Sequence, residues 1–345
     1  MGAKSEKNKP FPGGIGRFRQ KYDNNFLISF GIMIAIFLFC FLMIATGNAT
    51  RHFKSLLVPA GINIILAISL NLVVGILGEL SLGHAGFMSV GAYAGCLFSI
   101  YTQELFPIGV RFPLSLLVGG LVAAFFGLVI GVPVLRLKGD YLAIVTLAFG
   151  EIIRSVIINL DFTGGAAGLK NIEKHTTYTS VFIIILITLF VILNLINSRH
   201  GRAIMAIRDN RIAAESLGVN ITYFKLLSFI LAAFFAGIAG VLYGHNIGSL
   251  TAAQFDYNRS IEILVMVVLG GMGNIKGSII SAILITIIPE MLRGADKYRM
   301  LFYSIILIIM MLLNASPRFA EFKRKIRIKN LASALKSKSR QKEEV

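Results

Sequence analysis

Few side chains that are capable of chemistry stand inside the apolar stretches of this sequence. Glu151 and Arg154 are three residues apart in one such stretch, so on a helix they would share a face and could neutralise each other. Two interpretations stay open, a structural ion pair or a place on a polar pathway, because ionic groups in hydrocarbon are costly and usually face protein or water. His84 has a similar pair of interpretations, a buried polar group or a gate.

Enzymatic chemistry is not indicated by the sequence. It shows no nucleophile beside a base, no paired carboxylates and no spacing that is typical of metal ligands. Acidic residues in the apolar stretches, Glu151, Glu262 and Glu290, are too few to build a proton relay. Both cysteines lie in apolar runs, so neither a disulfide framework nor a metal cluster is expected. We therefore expect a non-catalytic chain that binds no cofactor and no metal.

The composition indicates a membrane protein. Hydrophobic residues make up 56 % of the 345 positions and charged residues only 15 %, which is too little polar surface to cover a soluble globule. About ten apolar runs are long enough to cross the hydrocarbon core of a bilayer, and the eighth and ninth are the shortest. We predict an all-α polytopic bundle of about ten transmembrane helices. Its expected spans are 26–46, 55–77, 82–101, 112–135, 140–159, 180–197, 225–245, 260–272, 277–292 and 300–314.

The formal net charge of +17 is concentrated at the two ends, in residues 1–25 and 315–345. These are predicted to be a basic N-terminus and a basic tail, with the transmembrane region, 26–314, between them. The positive-inside bias places both termini in the cytoplasm, which requires an even number of crossings, and ten satisfies this. For the tail, contact with anionic membrane lipid is favoured over nucleic-acid binding, because no aromatic residues for stacking are interleaved with its basic run, 323–345.

Glycines punctuate two of the apolar regions. The segment Leu70–Tyr93 contains five glycines together with Asn71 and His84. Glycine allows close helix packing, and it also allows a helix to break where the backbone lines a cavity, so both interpretations remain open. Val268–Ala282 has four glycines between two later spans and is expected to form a turn or a junction of half-helices. Whether residues 268–277 form a re-entrant turn is left open by the sequence.

The only sizeable polar interruption in the second half of the transmembrane region is Ser198–Lys225, which is called here the 198–225 segment. Asn210 can cap a helix that begins at Arg211, and Gly218 can end it. Apolar residues recur in the segment near helical spacing, at Ile204, Ile207, Ile212 and Leu217. The segment is therefore predicted to form two short helices on the cytoplasmic side, as an ordered docking surface and not a tether.

With these residues assembled, the chain resembles the permease subunits of bacterial branched-chain amino acid ABC importers, of the LivM type. The segments that carry the resemblance are Leu70–Tyr93, Arg136–Arg154, Thr163–Leu169, Gly201–Asn220, Val268–Ser278 and Ile287–Arg293. The family usually has a proline-containing form of the segment near Thr163, where this chain has Ala166 and Ala167.

The resemblance implies a cytoplasmic coupling loop that inserts into a cleft of an ATPase subunit. Charged residues of the loop would contact the ATPase, and two alanines would permit close approach. The residues that the resemblance assigns to ATPase coupling are Arg208, Asp209, Arg211, Ala213, Ala214, Glu215 and Gly218. It also implies a homologous second permease of the LivH type, two cytoplasmic ATPases that bind the ATP, and an extracytoplasmic substrate-binding protein.

The resemblance further implies alternating access across the bacterial cytoplasmic membrane. Candidates for the translocation pathway are Asn71, Gly83, His84, Thr146, Glu151 and Arg154. Leucine, isoleucine and valine are the favoured cargo, while urea, short amides and other amino acids stay open. A secondary transporter driven by an ion gradient is a further alternative, but it leaves the 198–225 segment unexplained.

Overall fold

The structure is a computed structural model, and it describes residues 51–137 and 139–291 together with residues 305 and 308. The chain divides into two compact units, Met1–Ser55 and Leu56–Val345, and nearly all of the described residues belong to the second. The α-helices are α1 (Arg51–Asn71), α2 (His84–Tyr101), α3 (Ile108–Val134), α4 (Asp140–Asn159), α5 (Tyr178–Asn197), α6 (Arg199–Asp209), α7 (Arg211–Ser216), α8 (Ile221–Ile247), α9 (Tyr257–Gly270) and α10 (Ile275–Met291).

Helices of other types complete the described part. A π-helical segment, Leu72–Leu77, continues directly from α1, and residues 78–83, called here the helix break, are not helical. Short 3₁₀ turns are Asp161–Thr163, Gly165–Ala167 and Ala252–Phe255. Within the described ranges the chain forms no β-strand, and an isolated antiparallel bridge joins Leu169 to Leu250.

The predicted spans from the second to the ninth coincide with α1 and its π-helical continuation, α2, α3, α4, α5, α8, α9 and α10. The first predicted span lies outside the described residues, as does the tenth apart from residues 305 and 308. The segments that are long and apolar enough to cross a membrane are Ser55–Leu77, Ile108–Val134, Asp140–Asn159, Tyr178–Asn197 and Ile221–Ile247. The prediction of an all-α polytopic membrane protein is confirmed.

Three of the helices at predicted spans are less apolar or shorter than a helix that faces lipid. α2 carries the buried polar residues His84 and Ser89, and α9 and α10 are only 14 and 17 residues long. α2 packs against α3 and α8 along its length. Because protein and not lipid surrounds it, α2 can hold polar groups that find partners inside the bundle.

The core is centred on α1. Residues 61–77 of α1 and its π-helical continuation are all buried inside the protein, whereas most residues of α4 are half-buried or exposed. Glycines let α2 approach α8: a Cβ atom added at Gly91 would overlap the backbone of Gly237, and one at Gly240 would overlap the carbonyl of Met88. At Gly91 the close-packing interpretation of the glycine pattern is therefore confirmed.

The loop between α4 and α5 is fastened to the far end of α8. Leu169 and Leu250 exchange two backbone hydrogen bonds of 2.8 Å, and the nitrogen of Ile172 donates to the carbonyl of Gly248 at 3.2 Å. Gly168 has a φ of +74°, and a Cβ atom there would overlap the carbonyl of Leu250. The loop that lacks the family's usual proline thus takes its shape from glycine and from this short bridge.

Candidate functional site

The 198–225 segment folds as its capping residues predict. Asn210 Oδ1 accepts a hydrogen bond from the nitrogen of Ala213 at 3.1 Å, so Asn210 caps α7. At the other end Gly218 has a φ of +80°, and two backbone bonds close the helix, one from Gly218 to Glu215 and one from Val219 to Ala214. This pair of bonds is a Schellman motif, which satisfies the last carbonyl groups of a helix.

The apolar pattern of the segment divides into a buried part and an exposed part. Ile204 and Ile207 are buried, whereas the side chains of Ile212 and Leu217 are 81 % and 83 % exposed. The reason is the extended backbone at Asn210, which starts α7 on a new axis, so helical spacing does not continue from α6 into α7. α7 and its C-cap residue, Leu217, therefore present two large apolar side chains to their surroundings.

Some of the residues assigned to ATPase coupling are exposed and others are buried. Ala213 and Glu215 are exposed on α7, and Asp209 is exposed at the end of α6. Ala214 is buried against Ile207 and Ile221, so the expectation that it permits close approach to a partner is wrong. Its small side chain serves the packing of the segment on itself, because α7 crosses the start of α8 there.

Arg208 is exposed beside Asp209, so its role in ATPase contact stays a prediction, and its guanidinium also reaches the backbone of the π-helical segment. Its Nη1 donates to the carbonyl of Gly75 at 3.2 Å, and its Nε donates to Asp209 Oδ1 at 3.1 Å. Gly78 has a φ of +82°, and a Cβ atom there would lie 2.6 Å from Arg208 Cγ. Two features therefore restrict position 78 to glycine: its left-handed backbone conformation, and the aliphatic part of the Arg208 side chain that lies against it.

Asn71 joins the π-helical segment to the turn between α9 and α10, residues 271–274. Its Oδ1 accepts from the nitrogen of Gly273 at 2.8 Å, and its Nδ2 donates to Ser278 Oγ at 3.0 Å. A Cβ atom at Gly75 would overlap the nitrogen of Gly273, so the two glycine-rich regions of the sequence meet here. π-helical turns often mark functional sites, and this one lies at the meeting point of three elements.

A buried ion pair lies beside this junction. Lys225 pairs with Glu79 across two elements, and their side chains are only 3 % and 16 % exposed. No pattern in the sequence predicts this pair, because the two residues are separated by 146 positions. The only available signal was an acidic residue directly after Gly78 in an otherwise apolar, glycine-rich stretch.

The helix break leads to the start of α2, where three of the predicted pathway residues lie together. Thr146 Oγ1 accepts from the nitrogen of Leu82 at 3.0 Å, and a Cβ atom at Gly83 would lie 2.5 Å from the Thr146 carbonyl. His84 is buried with its Nε2 2.9 Å from Ser69 Oγ. The structure thus groups Gly83, His84 and Thr146, and it places Asn71 on the other side of the break.

Glu151 and Arg154 lie apart from these hydrogen bonds. They form an ion pair of 2.7 Å on α4, and both side chains are half-buried. The neighbouring Gly150 packs against Gly86, near the start of α2. The geometry fits the structural ion pair, and a pathway role for the two stays a prediction. The side chain of Glu290 lies outside the described residues.

Two further networks of hydrogen bonds and ion pairs were not predicted from the sequence. Arg259 donates from Nη2 to Asn63 Oδ1 and from Nη1 to Glu262 Oε2, each at 2.5 Å. At the far end of α8, Glu173 pairs with the buried Arg111 and lies 2.8 Å from His175 Nε2. The partners lie on elements that are distant in sequence, so no spacing pattern predicts them. Among the residues that the structure describes, no group of three or more His, Cys, Asp or Glu could hold a metal ion.

The hydrogen bond from His175, together with the charges of Arg111 and His175, lowers the pKa of the Glu173 carboxyl below its ordinary value. The backbone carbonyl of Glu173 also accepts from His245 Nδ1 at 2.8 Å. One residue of the loop between α4 and α5 therefore fastens that loop to both α3 and α8.

Comparisons with known proteins agree with this architecture. The chain is 34 % identical to the high-affinity branched-chain amino acid transport system permease protein LivM of Salmonella typhimurium, over 80 % of this chain and 73 % of the relative. It is also 34 % identical to the LivM protein of Escherichia coli, over 79 % and 71 % of the two chains. A probable LivH permease protein of Methanocaldococcus jannaschii is 29 % identical over 46 % of this chain and 49 % of its own length.

No solved structure shows a significant match to the chain. The profile of the family described as branched-chain amino acid transport system / permease component matches residues 52–313, which include the helix break, the 198–225 segment and the turn at 271–274. Since the match spans nearly all of the described bundle, the chain belongs to the family of branched-chain amino acid transport system permease components.

Proposed function

We propose that this chain is the permease subunit of an ATP-driven importer for branched-chain amino acids in a bacterial cytoplasmic membrane. It would form the pore with a homologous second permease of the LivH type. Two cytoplasmic ATPases would bind and hydrolyse the ATP, and an extracytoplasmic binding protein would deliver the cargo. The family membership and the two LivM relatives support this proposal. Both termini and the 198–225 segment would then face the cytoplasm.

The observation that carries the proposal is the exposed tip of α7. Ile212 and Leu217 are largely exposed on a short helix that is capped at both ends, and Glu215 lies between them. Two large apolar side chains exposed on an ordered element outside the membrane spans suit a contact with another protein. A helix of this kind suits insertion into a cleft of an ATPase subunit, whereas a transporter driven by an ion gradient has no use for it.

The mechanism that we propose is alternating access driven by ATP on the partner subunits. Closure of the ATPase dimer would move α7, and α6 would carry that motion to the helix break. The predicted pathway residues Asn71, His84 and Thr146 are buried and bonded to neighbouring helices. A passage lined by them would therefore open only when the contacts around the break part.

The proposal is tested by uptake of labelled leucine, isoleucine and valine in bacteria that lack their own importer of this class and express the full set of subunits. ATP depletion should stop uptake, and a protonophore applied while ATP is held constant should not. Urea and short amides serve as competitors, and strong competition by them would reassign the cargo.

Purification of the tagged chain in mild detergent supplies a second test. Two ATPases and a homologous permease should accompany it in mass spectrometry. A homo-oligomer without any ATPase, from membranes in which other importers remain intact, would contradict the proposal and favour the gradient-driven alternative.

A further inference from the structure

We infer that Arg208 and Lys225 are positioning residues which clamp the helix break to the 198–225 segment, so that the break follows α7 whenever the ATPases move. This inference rests on the proposed function. It differs from a role in ATPase contact, since Lys225 is buried and Arg208 donates to the Gly75 carbonyl of the same chain.

The first clamp holds the residues before Gly78. The guanidinium of Arg208 donates to the carbonyl of Gly75, and the stem of Arg208 fills the space where a side chain at position 78 would stand. Gly75 lies in the π-helical segment, whose hydrogen-bond ladder is less regular than that of an α-helix. The Arg208 side chain therefore fixes the backbone at the end of α1 to the last turn of α6.

The second clamp holds the residue after Gly78. Glu79 pairs with Lys225, which lies in the second turn of α8, and both side chains are mostly buried. A buried ion pair costs desolvation energy and often adds little net stability, so its value lies in fixing one arrangement of the groups it joins. Gly75 and Glu79 flank Gly78, so the two clamps grip the chain on both sides of a glycine with a left-handed backbone.

The clamps also reach the second glycine-rich region. A Cβ atom at Gly273 would lie 3.2 Å from the Gly75 carbonyl, the same carbonyl that Arg208 binds. Gly273 is in turn bonded to Asn71. A displacement of α6 is therefore passed at one point to the end of α1, to the helix break and to the turn between α9 and α10. From the break it continues to the start of α2, where Gly83 and His84 lie.

The first experiment replaces Arg208 by Gln in the complete importer and measures uptake of labelled leucine. We expect uptake to fall about tenfold or more, the size of a typical coupling between sites, while the amount of protein in the membrane and the co-purified ATPases stay unchanged. Arg208→Lys should recover part of the uptake, because an ammonium can still donate to the Gly75 carbonyl. Arg202→Gln, an exposed arginine of the same helix, is the matched control and should transport normally.

A second readout separates coupling from folding. In the purified importer, we expect the loaded binding protein to stimulate ATP hydrolysis by the wild type but not by Arg208→Gln. Unchanged uptake in Arg208→Gln would overturn the inference. Joint loss of the protein and its ATPases in both Arg208 variants would also overturn it, since the residue would then only support the fold.

The second clamp is tested by reversing its charges. Glu79→Lys and Lys225→Glu should each abolish uptake, and the double variant should restore a substantial part of it at an equal amount of protein. A double variant that is no better than the single ones would overturn the role of the pair. A wild-type chain that takes up no leucine and brings down no ATPase would instead contradict the proposed function itself.

Discussion

At the scale of single residues, exposure decides which member of the 198–225 segment can act on a partner. Glu215 is exposed on α7, so its side chain is not part of the packed core, whereas the side chain of the neighbouring Ala214 is buried. Glu215→Lys should therefore leave the folded protein in the membrane and lower uptake more than about tenfold, because like charges at an interface cost several kcal/mol. Leucine uptake and membrane content are the measurements. Glu215→Gln is the milder control, and unchanged uptake in Glu215→Lys would refute the docking assignment of α7.

Gly218 allows a test of backbone conformation alone. No atom lies within 4 Å of a Cβ added there, so a substitution meets no clash, but the φ of +80° disfavours branched side chains. Gly218→Val should cost roughly 1–2 kcal/mol at the end of α7 and weaken recovery of the ATPases. Gly218→Asn, which tolerates this conformation better, should be milder. The readouts are thermal unfolding in detergent and co-purification, and equal effects of Val and Asn would argue against the Schellman closure as the cause.

At the scale of elements, glycine sets how closely α2 and α8 can pack. A Cβ atom at Gly91 meets the backbone of Gly237, which cannot move aside like a flexible side chain. Gly91→Ala should therefore destabilise the bundle by about 1–3 kcal/mol through overpacking. Gly109→Ala in the first turn of α3 is the control, because no atom lies within 4 Å of its added Cβ. The measurement is thermal unfolding of the two variants in detergent. Equal midpoint temperatures for Gly91→Ala and Gly109→Ala would mean that α2 and α8 can move apart enough to accept the extra methyl group.

The elements also differ in how well the sequence predicts them. α4 begins and ends at the predicted bounds, 140 and 159, because an apolar helix between polar loops is set by local composition. α7 begins and ends where Asn210 and Gly218 predict, since capping is a contact within a few residues. The orientation of α7 relative to α6 was not predicted, because it depends on the extended backbone at Asn210 and on packing against α8.

At the scale of the whole molecule, Glu173 connects a loop to two helices and gives the fold a dependence on pH. Its pKa is lowered below the ordinary value of 4.5, so its stabilising effect is present above that pH and is lost as the pH falls through the folded-state pKa. Thermal stability in detergent should therefore fall between about pH 5 and pH 3 more steeply in the wild type than in Glu173→Gln. Parallel pH profiles of the two proteins would show that the charge of Glu173 does not contribute to holding the loop.

The sequence by itself determined the class of the protein, its apolar helices, the caps of α7 and the position of the two glycine-rich regions, because each depends on composition or on contacts between near neighbours. Only the tertiary structure decided what these parts do together. Arg208 and Gly75 are 133 positions apart, and Lys225 and Glu79 are 146 apart, so no spacing rule predicts their pairing. The burial of Ala214 and the exposure of Ile212 and Leu217 likewise depend on which helix face the rest of the fold covers. Packing between distant segments, and not local pattern, therefore places the helix break against the segment that we propose to be driven by ATP.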